Sequence, residues 1–359
     1  MKIALIQLNS TVGDFKGNLE KFKELALNVP CDHLLVGPEL TFSGYQINDM
    51  IHRQDFLDEQ NSVINELNSW LASRNQKAIV GRVGINTRLY GKSHENQAVL
   101  LDGKNVKIVA VKRLLPTYDV FDENRYFEAG EKSESISLNE HHVGVLICED
   151  GWNTDGSYKV NPVNDLASEG IDFYLSINAS PSSLRKNHLR KKIFGGIAKE
   201  KQIPYISVNQ VGGNDTIVFD GGSYIALPNG EIKQAPFFSE GVLTVDTQSF
   251  DTKWLGESVF DKDASIDTDN EQWIGFVKHQ LVMGIRDFFY KNGIKRASLA
   301  LSGGADSSLV LALAVDALGA DNITAVTMPS QISSAGSVTD SQALAEMLGV
   351  KLYERPIKD

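Results

Sequence analysis

Cys148 ends an apolar run, VGVLI, and is followed at once by Glu149 and Asp150. Two carboxylates beside a thiol raise its pKa and make it less reactive. A nucleophilic thiolate at this position therefore needs a cation and a base nearby, and Lys112 and Glu39 are residue types that could supply both. Glu39 lies just past an apolar run in a Gly-Pro turn, within LLVGPELTFSGY (34–45); Lys112 closes another, within VKRLLPTYDVFDENRYFEAG (111–130). Taken singly, each has a plainer reading. A strand-end cysteine is usually a buried small hydrophobe, and a strand-end lysine or glutamate is usually solvated. A different chemistry is suggested by Ser302-Gly303-Gly304-Ala305-Asp306-Ser307-Ser308, set between an apolar run and a helical pattern. Two glycines let the backbone approach a polyanion, a helix start points N–H groups at it, and the three serine hydroxyls add donors. Asp306 would repel a bare phosphate but could hold a Mg²⁺ that bridges phosphate oxygens. The plainer reading there is a glycine-containing strand-to-helix turn with a serine cap.

The elements that must carry these residues alternate short apolar runs with longer helical patterns. Strands are expected at 2–7, 33–37, 77–84, 95–101, 106–111, 143–148, 173–178, 205–211, 222–226 and 241–246, and helices at 15–26, 56–73, 161–169 and 182–202. Helical connections suit parallel neighbours, while Asp102-Gly103 and Pro228-Asn229-Gly230 suit hairpins, so an α/β fold with mixed pairing is expected. The polar, acidic stretch 247–270 reads as a linker between a first unit, 1–246, and a second, 271–359. In the second, helix 271–292, strand 298–301, helix 307–318, strand 322–328, helix 337–348 and an incipient strand at 352–355 open a parallel nucleotide-binding pattern. Those residues are too few to complete a doubly wound sheet, so the expectation is an incomplete second unit.

Composition narrows the function classes. The 359 residues, 42% of them hydrophobic, can bury cores for two or more domains. A net charge of −11 argues against nucleic-acid binding, which relies on a basic surface. Two cysteines give no disulfide framework, which suits a reducing compartment, and Cys31 is assigned no role. The start lacks a signal-peptide pattern and no apolar run approaches the ~18 residues of a membrane span, so a cytoplasmic protein is expected. The seven histidines show no metal-ligand spacing, and no zinc site is expected.

Together, the segments around Glu39, Lys112 and Cys148 resemble the nitrilase, or carbon–nitrogen hydrolase, superfamily over nearly all of residues 1–246. That resemblance implies a four-layer αββα sandwich in which Glu39 is general base, Lys112 stabilises the oxyanion and Cys148 is the nucleophile. It also implies a supporting glutamate at Glu123. The 302–308 loop resembles the pyrophosphate loop of N-type ATP pyrophosphatases, and MPSQISSAGSVTDSQALAEMLGV (328–350) is similar to NAD synthetases. The joined order resembles the glutamine-dependent members of that family. It implies L-glutamine, ATP and nicotinic acid adenine dinucleotide as substrates, with Mg²⁺ as ion and no tightly bound cofactor. It further implies that Tyr118, Ser180 and Lys186 contact glutamine, that residues 302–308 take ATP with Asp306 on the metal, that ammonia passes through a protein tunnel, and that the chain forms a homo-oligomer. Two other readings stay open at this point: a free-standing amidase acting on another small amide, and a non-catalytic assembly subunit.

Overall fold

In β1 (Lys2–Gln7), Ala4 and Ile6 enter one apolar cluster while Ile3 and Leu5 enter another, so both faces of the strand are buried. β1 runs parallel to β2 (His33–Val36) and β2 to β3 (Ala78–Ile85); β4 (His94–Leu101) and β5 (Val106–Val111) continue antiparallel. The computed structural model, which describes residues 1–260 and 272–357, places a second sheet against this one. It begins with β6 (Ile136–Leu138), β7 (His141–Ile147), β8 (Phe173–Asn178) and β9 (Tyr205–Asn209). A separate ribbon, β10 (Val211–Asn214) and β11 (Ile217–Asp220), precedes β12 (Tyr224–Ala226) and β13 (Ile232–Gln234), giving the sheet order β13-β12-β9-β8-β7-β6. β14 (Gly241–Asp246) and β15 (Thr252–Leu255) then return to the first sheet beside β1.

The inner faces meet through Ile3, Leu5, Val145, Ile147, Leu175 and Ile177. Outside the first sheet lie α1 (Phe15–Leu27) and α2 (Gln54–Arg74); α1 turns Phe15, Leu19, Phe22 and Ala26 inward at helical spacing. After the single turn α3 (Glu123–Tyr126), α4 (Pro162–Ser168) and α5 (Lys186–Lys201) cover the second sheet, Phe194 of α5 stacking on Tyr205 beside Tyr174. Each such side chain stabilises by ~1.5–3 kcal/mol when fully buried. Strands apolar on both faces thus need a sheet on one side and helices on the other, and the αββα order follows.

The structure departs from the sequence expectation at several points, and β6, β11 and β13 have no counterpart among the expected strands. The stretch read as a linker from 247 first turns back and adds β15 to the sheet; its residues 261–270 lie outside the described residues. The expected strand 205–211 breaks at Gln210 into β9 and β10, and α5 starts at Lys186 rather than 182 because Arg185 takes a left-handed φ of 67°.

Beyond residue 271, α6 (Gln272–Lys291) lies on the ribbon, where Gly213 and Gly284 come so close that a Cβ on Gly213 would stand 3.2 Å from the Gly284 Cα. Then β16 (Ala297–Ala300), α7 (Ala305–Leu318), β17 (Ile323–Thr327), α8 (Ala335–Met347) and β18 (Lys351–Glu354) form a parallel three-stranded sheet in sequential order. Leu311 of α7 and Leu344 of α8 share one cluster with Ala325, so both helices cover one face.

Candidate active site

Glu39 follows β2 in a turn held by Thr41, whose hydroxyl receives the Gly81 N–H at 3.0 Å while its own N–H donates to the Gly81 carbonyl at 3.0 Å. Only glycine fits at 81, since a Cβ there would lie 2.3 Å from Leu40 N. Lys112 immediately follows β5, and Cys148 immediately follows β7 in a 3₁₀ turn with a left-handed φ of 44°. Such a backbone conformation is costly for a non-glycine residue and aims the side chain out of the strand's ordinary direction.

Lys112 and its two carboxylates are buried together. Lys112 and Glu39 have no exposed surface, and Lys112 Nζ lies 2.7 Å from Glu39 Oε1 and 2.7 Å from Glu123 Oε1. Burial alone would lower the lysine's pKa, but the carboxylates of Glu123 and Glu39 outweigh it and hold the ammonium well above its usual range. Glu39 Oε1 also accepts from Asn96 Nδ2 at 2.7 Å, and its Oε2 accepts from the Ala179 N–H at 3.0 Å. Tyr45 Oη donates to Glu123 Oε1 at 2.7 Å; Glu123 Oε2 has no protein partner, and burial, helped by Glu39, raises this carboxyl to about 7 against the pull of Lys112. Burial and the Glu39 charge push the Cys148 thiol well above its ordinary value, so the resting sulfur keeps its proton.

Asp150 braces Cys148 to the lysine. Its Oδ1 accepts the N–H groups of Arg113 and Leu114 at 2.9 Å each, and its Oδ2 accepts that of Ile147 at 3.2 Å. The chain leaving Lys112 and the chain entering Cys148 are thereby tied to one carboxylate, which burial raises to about 6. Glu149 points elsewhere and receives Tyr118 Oη at 3.0 Å and Tyr158 Oη at 2.9 Å. Lys186 Nζ stands 4.1 Å above the Trp152 ring, its pKa lowered by burial and by Arg190, with Cys148 and Glu149 acting in the opposite sense. Ser180 is buried, and its Oγ accepts from Arg190, which makes a paired contact of 2.7 and 2.8 Å with the fully buried Asp220.

Glu39, Lys112, Glu123 and Cys148 therefore converge, with Tyr118 and Lys186 reaching the same neighbourhood through Glu149 and Trp152. Sequence reasoning missed Asn96, Asp150, Tyr158 and the Arg190–Asp220 pair. Glu149 and Asp150 were legible only as neighbours of the thiol; their opposite orientations come from the 3₁₀ turn.

The 302–308 loop is a separate and open site. Gly303 has φ 78°, and a Cβ there would stand 2.3 Å from the Ser337 carbonyl. Ser302 and Ser307 hydroxyls meet at 3.0 Å, Ser308 Oγ donates to the Gly304 carbonyl at 2.8 Å, and no side chain caps the start of α7. The α7 N-terminus thus has N–H groups that no side chain caps, and Asp306, exposed in its first turn, is the one carboxylate among residues 302–308. Among the described residues no cluster of three or more His, Cys, Asp or Glu side chains could hold a metal by itself, and no helix is long and apolar enough to cross a membrane.

The carbon–nitrogen hydrolase family matches residues 2–253, and the NAD synthase family matches residues 277–359. A glutamine-dependent NAD(+) synthetase of Synechocystis sp. is 40% identical over 99% of this chain and 64% of its own length. The structure of a glutamine-dependent NAD+ synthetase from Acinetobacter baumannii in complex with ADP superposes with a TM-score of 0.84 at 32% identity, over 99% of this chain and 64% of that one. An amidase of the nitrilase superfamily from Nesterenkonia shares the fold, with a TM-score of 0.56 at 20% identity over 77% of this chain and 96% of that one. The chain thus spans a little under two thirds of those two synthetases, and with residues 2–253 matched it belongs to the carbon–nitrogen hydrolase family, an NAD synthase segment following in the same chain.

Proposed function

We propose that this chain hydrolyses the side-chain amide of glutamine and supplies the ammonia to an ATP-dependent amidation that forms NAD from nicotinic acid adenine dinucleotide. The observation that carries the reading is the Lys112 ammonium held 2.7 Å from both Glu39 and Glu123 beside a strand-end cysteine. Glu39 removes the thiol proton as Cys148 Sγ attacks the amide carbon. Lys112 stabilises the oxyanion, together with a backbone N–H of the Cys148 turn. Glu39 passes the proton to the departing ammonia, then takes one from the water that opens the γ-glutamyl thioester and returns it to the sulfur.

Glutamine carries an α-carboxylate and an α-ammonium, and the residues around Cys148 offer complements to both. Lys186 suits the carboxylate; Glu149, oriented by Tyr118 and Tyr158, suits the ammonium. Ser180 accepts from Arg190 and so retains its own O–H for the substrate. In this reading residues 1–246 form the hydrolase unit and 271–359 the part of the synthetase that presents the loop. Ser302, Gly303, Gly304, Ala305, Asp306, Ser307 and Ser308 would hold the phosphates of ATP. Asp306 would hold a Mg²⁺, whose contribution when bound is to neutralise phosphate charge. The names of the relatives support glutamine and NAD as the chemistry served; a cytoplasmic, homo-oligomeric enzyme completes the proposal.

The test is release of ammonia and glutamate from L-glutamine by the purified chain, beside a panel of small aliphatic amides and the Cys148→Ala variant. Turnover of glutamine that vanishes in the variant is expected. Turnover of another amide with none of glutamine would replace the proposal by a free-standing amidase.

A further inference from the structure

Behind the triad, a series of hydrogen bonds leads out of the hydrolase fold to α6. Tyr45 donates its hydroxyl to Glu123, the carboxylate that holds Lys112, and its backbone carbonyl accepts from Asn214 Nδ2 at 3.1 Å. Asn214 is the buried last residue of β10, and its Oδ1 receives Lys291 Nζ at 2.8 Å. The same ammonium donates to the Ser10 carbonyl at 2.7 Å, and the Ser10 hydroxyl donates to the carbonyl of Thr41 at 2.9 Å, two residues past Glu39. One lysine on α6 therefore supports both ends of the 39–45 segment. One turn earlier on the helix, Asp287 fixes the approach, its Oδ2 accepting from the Gly213 N–H at 2.8 Å and from Asn9 Nδ2 at 2.9 Å.

We propose that Lys291 and Asn214 are positioning residues for amide hydrolysis: the helix that opens the NAD synthase segment braces the segment carrying Glu39 and Tyr45, and the triad reaches its working geometry with α6 docked. The inference rests on the hydrolytic reading of the triad. Neither residue is within hydrogen-bond reach of a triad side chain, so their effect must pass through Tyr45, Ser10 and Thr41. A shift of one ångström at reacting groups can cost about 100-fold in rate, which makes an indirect brace measurable.

The test uses the full chain as wild type, Lys291→Met, Asn214→Leu, the double variant, Lys291→Arg, and Gln280→Ala. Gln280 accepts from Ser182 at 2.9 Å across the same interface but lies off the route to Glu39. Three quantities are read: kcat and KM for L-glutamine, the rate of Cys148 alkylation by iodoacetamide, and the thermal midpoint. Lys291→Met and Asn214→Leu should each lower kcat by roughly tenfold or more with KM little changed. The alkylation rate should shift with kcat, Lys291→Arg should recover most of the loss, and Gln280→Ala should match wild type. In the double variant the loss should be no greater than in the worse single, the mark of one shared route. An unchanged kcat in folded Lys291→Met, an equal loss in Gln280→Ala, or fully additive losses would overturn the proposal. Should Lys291→Met not fold, Asn214→Leu and Lys291→Arg carry the same decision. Wild type inert on every amide, yet with alkylation altered by Lys291→Met, would sink the hydrolytic reading and leave the brace standing; glutamine turnover that neither variant affects would do the reverse.

Discussion

The two sites in this chain solve the problem of handling charge in opposite ways. Around Lys112 the protein supplies every partner: Glu39 receives three donors and Lys112 lies between two carboxylates, all without exposed surface on either residue. In the 302–308 loop the serine hydroxyls bond to one another or to the backbone, Asp306 is exposed, and the start of α7 is uncapped. The first arrangement fixes its geometry before substrate arrives, which is what a site stabilising a developing oxyanion needs. The second leaves its donors exchangeable, which is what a site for a polyanion needs. Burial makes the first site vulnerable to loss of any one member, whereas loss of a hydroxyl from the second costs the fold little.

That contrast can be broken most directly at Lys112. Lys112→Met leaves the Glu39 and Glu123 carboxylates buried without their cation, so unfolding in denaturant should show a loss of about 3–5 kcal/mol together with abolished amide hydrolysis. A variant of unchanged stability would mean that the buried charges are not balanced as described. At the open site, Gly303→Ala puts a Cβ at φ 78° and 2.3 Å from the Ser337 carbonyl, so the loop must rearrange. Calorimetry should find ATP binding lost at a stability cost of about 1–3 kcal/mol.

A smaller effect separates Asp150 from the triad proper. Its carboxyl is raised from 3.8 to about 6 by burial, so the native state binds this proton more tightly than the unfolded chain. The stabilisation is complete below pH 4 and is lost as the pH rises through about 6, an effect of roughly 1–3 kcal/mol at one pKa unit per 1.4 kcal/mol. Asp150→Asn should flatten that part of the stability–pH profile and lower hydrolysis about tenfold, because the amide group cannot accept all three backbone N–H groups. The mildest change is Tyr158→Phe. Tyr118 still orients Glu149, so KM for glutamine should rise only a few-fold, about 1 kcal/mol, with kcat retained.

How much of this was legible beforehand follows from what each residue depends on. Glu39, Lys112 and Cys148 stand at the ends of apolar runs, and their strand-end placement is a local property. Gly303 and Gly304 sit between a strand and a helix, equally local. Asn96 was hidden because it is one polar residue in the run His94-Glu95-Asn96-Gln97, and its value comes from Glu39 in the turn after β2. β15 was hidden in a polar stretch because an edge strand buries only part of its surface. The ribbon was missed because the expected strand 205–211 ended before its glycines, whereas Gly213 permits α6 to approach. Asn96 and the approach of α6 to the ribbon depend on segments far apart in the chain, whereas β15 forms a local hairpin with β14 whose polar sequence concealed it.

In the proposed function Cys148 attacks the amide carbon of glutamine. Rapid quenching of the wild-type chain with L-glutamine, followed by peptide mass analysis, tests it directly. The account predicts a γ-glutamyl group on the peptide containing Cys148, formed in wild type and absent in Cys148→Ala. Ammonia release with no adduct on that peptide, or an adduct on Cys31, would contradict it.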